Sequence, residues 1–130
     1  MFEIGQKAQL SKTFTDADIR TFAELSGDTN PVHLDDEFAK SSLFGRRIAH
    51  GLLTASLLSG ILGTKIPGTG AIYLGQTIKF LHPVFVDDTI TAEVEVIGLK
   101  EEKKIITVRT TCTNQDGKAV LEGEAVLKYA

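Results

Sequence analysis

The segment GDTNPVH, Gly27 to His33, sets a carboxylic acid, Asp28, and an imidazole, His33, five residues apart with a proline between them. Pro31 lacks a backbone donor and pushes the preceding Asn30 away from helical geometry, so a helix interior does not accommodate the run. The spacing predicts a kinked loop, supported by Asn30 and Pro31, from which both side chains turn toward one small volume. An acid and a histidine converging on one spot are what general acid–base catalysis needs. The plain alternative is that Asp28 closes an Asx turn on its own backbone and His33 is a packed loop ring.

A second candidate follows at His50-Gly51, which opens a strongly apolar helix. The first N–H groups of a helix have no intrahelical partner and favour developing negative charge, and glycine lets a substrate approach the backbone. Here the plain alternative is a flexible start to the helix. An acid–base pair beside a carbonyl-polarising helix end would suit a thioester or another acyl group. Weaker candidates surround these. Thr54, Ser56 and Ser59 interrupt the apolar helix and are expected to bond carbonyls one turn back, with only Ser59 a candidate to face substrate. His82 reads as a strand-end residue before Pro83, and Cys112 as core. Arg46, Arg47 and Lys79 are the basic residues available for the phosphates of a nucleotide carrier. There is no nucleophile elbow, phosphate-binding glycine loop or dinucleotide fingerprint.

The elements that must position these groups fit one domain, residues 1–130. A hydrophobic share of 42% with 24% charged residues excludes a disordered or collagen-like chain. A net charge of −3, with no local block of Lys or Arg, argues against a nucleic-acid surface. One cysteine builds neither a disulfide framework nor a zinc site. The N-terminus lacks a basic patch followed by an apolar core, and the most apolar run, Gly51 to Leu62, falls short of the roughly twenty residues that span a bilayer. The expectation is a cytoplasmic protein without a membrane partner.

Ala8 to Phe14 reads as a strand, and Thr15 as the N-cap of a helix that Gly27 ends. Asp35 to Ser41 reads as a short helix with Phe38 as its inward anchor. The Gly51–Leu62 helix is apolar around most of its circumference and should be buried on most sides. After Gly68 the pattern alternates. Four strands are expected: one from Ile72 to Phe80, one around Ile90–Val96, one around Ile106–Cys112, and one around Ala119–Leu127 with Gly123 a candidate bulge. Turns fall at Lys100–Lys103 and Asn114–Gly117. The fold class is α+β, an antiparallel sheet wrapped around one long apolar helix, and its exposed edge strand predicts a dimer.

The run FAELSGDTNPVHLDDEFA, Phe22 to Ala39, resembles the signature of the MaoC-like R-specific enoyl-CoA hydratases, and RRIAHGLLTASLLSG and KFLHPVFVDDTI resemble the same family in the same order. The resemblance implies a hot-dog fold and a homodimer whose two sheets join into one. It implies that Asp28 and His33 are the catalytic pair and that the backbone N–H of Gly51 is the oxyanion donor. Ser59 and Leu62 fall where the family lines its acyl pocket. The implied reaction is R-specific hydration of trans-2-enoyl-CoA, with coenzyme A as the substrate's carrier and no metal or redox cofactor. Three other functions stay open at this point: a 3-hydroxyacyl-carrier-protein dehydratase, a hot-dog thioesterase, and a non-enzymatic acyl-CoA-binding sensor. The first pairs a histidine with a glutamate from a different motif, and the last has no need of an acid–base couple.

Overall fold

Alternation in the second half of the chain becomes a sheet in the computed structural model, which describes residues 1–130. The elements in chain order are β1 (Lys7–Thr13), α1 (Asp16–Ser26), α2 (Pro31–Leu34), α3 (Asp36–Lys40), α4 (Gly51–Thr64), β2 (Ile72–Gln76), β3 (Lys79–Phe80), β4 (Thr89–Lys100), β5 (Ile105–Thr113) and β6 (Ala119–Lys128). The strands form one antiparallel sheet in the order β1-β4-β5-β6-β2, with β3 also on β6. Helix α4 packs on β4, β1 and β5. This is the expected hot-dog arrangement.

Period-two burial makes the wrap. Ile90, Ala92, Val94 and Val96 of β4 are all fully buried, as are Ile106, Val108 and Cys112 of β5. They meet Leu57, Leu58, Ile61 and Leu62 of α4. Each such large aliphatic side chain contributes about 1.5–3 kcal/mol relative to leaving it exposed. Burial also pushes the Cys112 thiol up to about 12, as befits an inert core group.

Helix α1 begins where its sequence says it should. The Thr15 hydroxyl accepts from the Asp18 N–H at 3.2 Å while the Asp18 carboxylate accepts from the Thr15 N–H at 3.0 Å, a reciprocal capping box. Gly27 ends it at φ 80°, a left-handed conformation that glycine adopts without strain.

Several expectations are corrected. The 72–80 strand is two short strands on β6, separated at Thr77 and Ile78, and the first of them carries a register shift between Tyr73 and Gly75. Gly123 is no bulge, since it stays in register with Thr110. It is glycine because a Cβ there would lie 1.8 Å from the Thr77 carbonyl oxygen. Phe38 is exposed and Ala39 is the buried residue of α3. The first of the two turns, at Lys100–Lys103, is a single 3₁₀ turn over Glu101–Lys103, followed by Lys104 in the left-handed region. Helix α4 is not buried on most sides of its N-terminal half: Leu52 is 63% exposed, beside Tyr73 and Leu74 of the edge strand β2. No helix is long and apolar enough to cross a membrane.

Candidate active site

Pro31 does not kink a loop; it starts a helix. Its missing N–H is no loss at the first helical position, and the Asn30 side chain caps the turn by accepting from the Val32 N–H at 3.1 Å. His33 therefore stands on a rigid single turn, α2, rather than on an irregular loop. Its Nδ1 lies 2.8 Å from the Ile48 carbonyl. A carbonyl only accepts, so Nδ1 carries the proton and Nε2 keeps its lone pair.

Asp28 satisfies both readings of its sequence position. Its Oδ1 accepts from the Asn30 N–H at 3.2 Å, an Asx turn, while its Oδ2 faces His33 Nε2 at 3.8 Å. That separation is too long for a hydrogen bond. It sets two acceptors where the two hydrogens of one water can reach both. His33 is buried and Asp28 half exposed, so the pair stands at the edge of solvent. Burial is the main cause that lowers the His33 pKa below its ordinary 6.5, and the neighbouring His50 pushes the same way. The Ile48 carbonyl and the Asp28 carboxylate oppose the shift without cancelling it. A neutral imidazole is the result at neutral pH.

Gly51 begins α4, and His50 before it makes no side-chain cap. The His50 carbonyl takes the Leu53 and Thr54 N–H groups at 3.1 and 3.2 Å, which leaves those of Gly51 and Leu52 without an intrahelical partner. The glycine has a further cause beyond open approach: a Cβ at position 51 would sit 2.6 Å from the Phe80 ring. Asp28, His33 and Gly51 line a single cavity of ≈ 660 Å³, whose lining also includes Phe80, Val84 and Leu121.

Ser59 and Leu62 are not among its lining residues. Ser59 is exposed and Leu62 lies in the core, roughly 12–17 Å further along the helix axis than Gly51. Thr54 does line the cavity, and its buried hydroxyl does not bond back along the helix. Asp28, His33 and His50 offer ligand atoms within 4.8 Å of one another. A metal must lie in the plane of each imidazole that binds it, and the two rings are stacked at 27° with centroids 3.8 Å apart. Their in-plane lone pairs do not meet within the ~2.0–2.1 Å of a zinc–nitrogen bond, so the donor set does not suit a metal.

Comparison with known proteins gives the family. Residues 2–118 match the MaoC like domain. The chain belongs to the MaoC-like family. It is 54% identical over 126 residues to an (R)-specific enoyl-CoA hydratase of Aeromonas caviae, spanning 97% of this chain and 94% of that one. It is 53% identical over 123 residues to the enzyme of the same name from Rhodospirillum rubrum, spanning 95% and 85%. The solved structure of an (R)-hydratase from A. caviae involved in PHA biosynthesis superimposes with a TM-score of 0.96 over 99% of this chain and 98% of that one, at 53% identity.

Two residues of this MaoC-like domain carry more than their sequence positions suggested. Arg47 is not free for a phosphate. It is buried, its Nε donates to the His33 carbonyl at 2.8 Å, and its guanidinium pairs with Asp16 at the start of α1. The guanidinia of Arg47 and Arg20 hold the Asp16 carboxyl below the usual 3.8. The signal was there in a basic residue placed directly before the apolar Ile48-Ala49 pair. Arg46, by contrast, lies over the Phe85 ring, 3.8 Å from its centroid. The other residue is His50, whose sequence position marked only the helix start. It lies in the cavity wall against both members of the acid–base pair.

Proposed function

We infer that this chain is an (R)-specific enoyl-CoA hydratase, a hydro-lyase that reversibly adds water to trans-2-enoyl-CoA to give (R)-3-hydroxyacyl-CoA. The single observation that carries the reading is the 3.8 Å gap between Asp28 Oδ2 and His33 Nε2, beside the free N–H end of α4 in one cavity. A water that donates to both acceptors has a lone pair left for C3 of the enoyl thioester. Asp28 and His33 orient that water and take its proton as the C–O bond forms. Negative charge collects on the thioester oxygen, where the Gly51 N–H receives it; one such donor contributes about 2.7–4 kcal/mol of transition-state stabilisation. The proton then returns to C2 from the same pair, so both new bonds form on one face. The reaction transfers only the elements of water, so these residues need neither a metal nor a redox cofactor. The adenosine end of coenzyme A stays a carrier.

The working unit is a homodimer. Strand β2 has one unpaired edge and exposes Tyr73 and Leu74 next to Leu52, an apolar stripe that a second copy would cover by edge pairing. Light scattering at micromolar concentration should give twice the mass of 14.1 kDa.

The test of the activity is loss of enoyl-thioester absorbance on adding purified protein to trans-2-enoyl-CoA, with chiral separation of the product. Formation of the (R)-3-hydroxyacyl-CoA is expected. Release of free thiol in its place would mean a thioesterase, and tight binding without turnover by folded protein would mean a sensor; either would overturn the reading.

A further inference from the structure

The His50 side chain touches both members of the acid–base pair. Its Nε2 lies 2.9 Å from the main-chain carbonyl of Asp28, and because a carbonyl only accepts, this nitrogen donates. Its ring stacks on His33 with centroids 3.8 Å apart, and Phe22 closes its surroundings at 4.8 Å. Its own main chain leads directly into the Gly51 N–H as the cap residue of α4. The other ring nitrogen, Nδ1, is buried without a hydrogen-bond partner. A buried unpaired nitrogen lowers stability relative to an apolar ring of the same shape. Packing therefore does not explain why the position is histidine.

The bond to Asp28 does. Asp28 otherwise bonds only Ser26 and Asn30, neighbours within its own turn. The His50 donor is its tie to a different element, the rigid N-terminus of α4. The ring face beside His33 limits how that imidazole can tilt, while the Ile48 carbonyl fixes its rotation. We propose that His50 is the positioning residue of this site: its Nε2–H pins the Asp28 main chain and its ring face fixes the His33 plane, which keeps the two acceptors one water apart. The proposal rests on the hydratase reading for its kinetic consequence. Misplacement of a reacting group by about 1 Å can lower turnover by about a hundredfold without weakening substrate binding.

Two substitutions separate the bond from the packing. His50→Phe keeps an aromatic ring between His33 and Phe22 but removes the donor; His50→Gln loses the ring but carries an amide N–H that reaches the place of Nε2. Hydration of trans-2-enoyl-CoA by His50→Phe should fall at least tenfold in kcat, with KM within about threefold of wild type and no loss of melting temperature. His50→Gln should recover most of that loss in kcat. A folded His50→Phe protein with kcat within twofold of wild type would overturn the proposal, as would an equal factor lost in kcat and gained in KM. Should the phenylalanine variant not fold, His50→Asn, whose shorter amide falls short of the carbonyl, replaces it: Gln well above Asn in kcat supports the proposal, and equality overturns it. Amide hydrogen exchange at Asp28 and Asn30 needs no substrate. It should quicken at least tenfold in the variant that lacks the donor, and unchanged exchange sinks the pinning role even if wild type shows no turnover, an outcome that would count against the hydratase reading instead.

Discussion

Asp28→Asn is the perturbation that separates chemistry from architecture most cleanly. The turn survives it, because the amide oxygen can still accept from the Asn30 N–H as Oδ1 does now at 3.2 Å. The Asp28 side chain is half exposed, so no core packing is lost. What changes is the atom that faces His33 Nε2 across 3.8 Å. An NH₂ group there donates where a carboxylate accepted. One end of the water clamp is then gone: an acceptor has become a donor, and the water keeps only His33 Nε2 to take its proton. General acid–base participation of this kind contributes about 10²–10⁴ in rate. That range corresponds to about 2.7–5.4 kcal/mol of barrier at 1.36 kcal/mol per decade. The assay is kcat for hydration of trans-2-enoyl-CoA, beside thermal unfolding of the same sample. A variant that melts with wild type and turns over within a few-fold of it would refute the clamp and leave Asp28 as a turn residue only. His33→Ala should fall comparably, and the double variant should lose little more than the worse single one, since the pair acts on one water.

The remaining expectations are simpler to state. Because the His33 pKa is lowered below 6.5 and its neutral form is the one that accepts, kcat/KM should be flat near neutrality and fall only as pH drops through a value under 6.5; a limb above it would contradict the environment described. Gly123→Ala should destabilise by about 1–3 kcal/mol in urea unfolding, since its Cβ would overlap the Thr77 carbonyl at 1.8 Å, and an unchanged midpoint would mean that this crossing is loose. Leu62→Ala should remove about 2–5 kcal/mol of stability while leaving the acyl-length profile unchanged, because the residue is 1% exposed in the core and outside the cavity lining; a broadened profile at equal stability would put the acyl tail along that face of α4.

Much of this was legible from residue order. Thr15 and Gly27 mark the ends of α1 through local chemistry, and local chemistry is what a sequence carries. The β4 and β5 faces follow from strict alternation, which has one solution once one face is covered. The acid and histidine were legible as a pair because Asn30-Pro31 leaves few ways to arrange them, although the proline serves as a helix start rather than a break. Long-range partners were less visible. Nothing near Gly123 announces that Thr77 will cross over it, and nothing near Arg47 announces Asp16. Leu52 and Phe38 were assigned inward by periodicity, but periodicity cannot tell a face that meets the core of its own chain from one left open. His50 was legible as a helix start and illegible as a brace, since its partner is a carbonyl and every residue has one.

The walls of the cavity divide along the chain. The water clamp, its brace, the buried Arg47 and the Gly51 N–H all come from residues 16–51, a continuous stretch held by short turns and helix caps. The rest of the lining comes from Phe80 at the end of β3 and the segment 81–84 after it, and from Val120 and Leu121 of β6. The reacting end and the rest of the lining are therefore written in separate passages of sequence. Variation at 81–84 and 120–121 can reshape what the cavity admits while leaving the reacting groups where they are; Phe80 is set apart, since its ring lies against Gly51. A library confined to those six positions would explore acyl preference on an unaltered reaction, and chimaeras joined after α4 should inherit their chemistry from one parent and their appetite from the other.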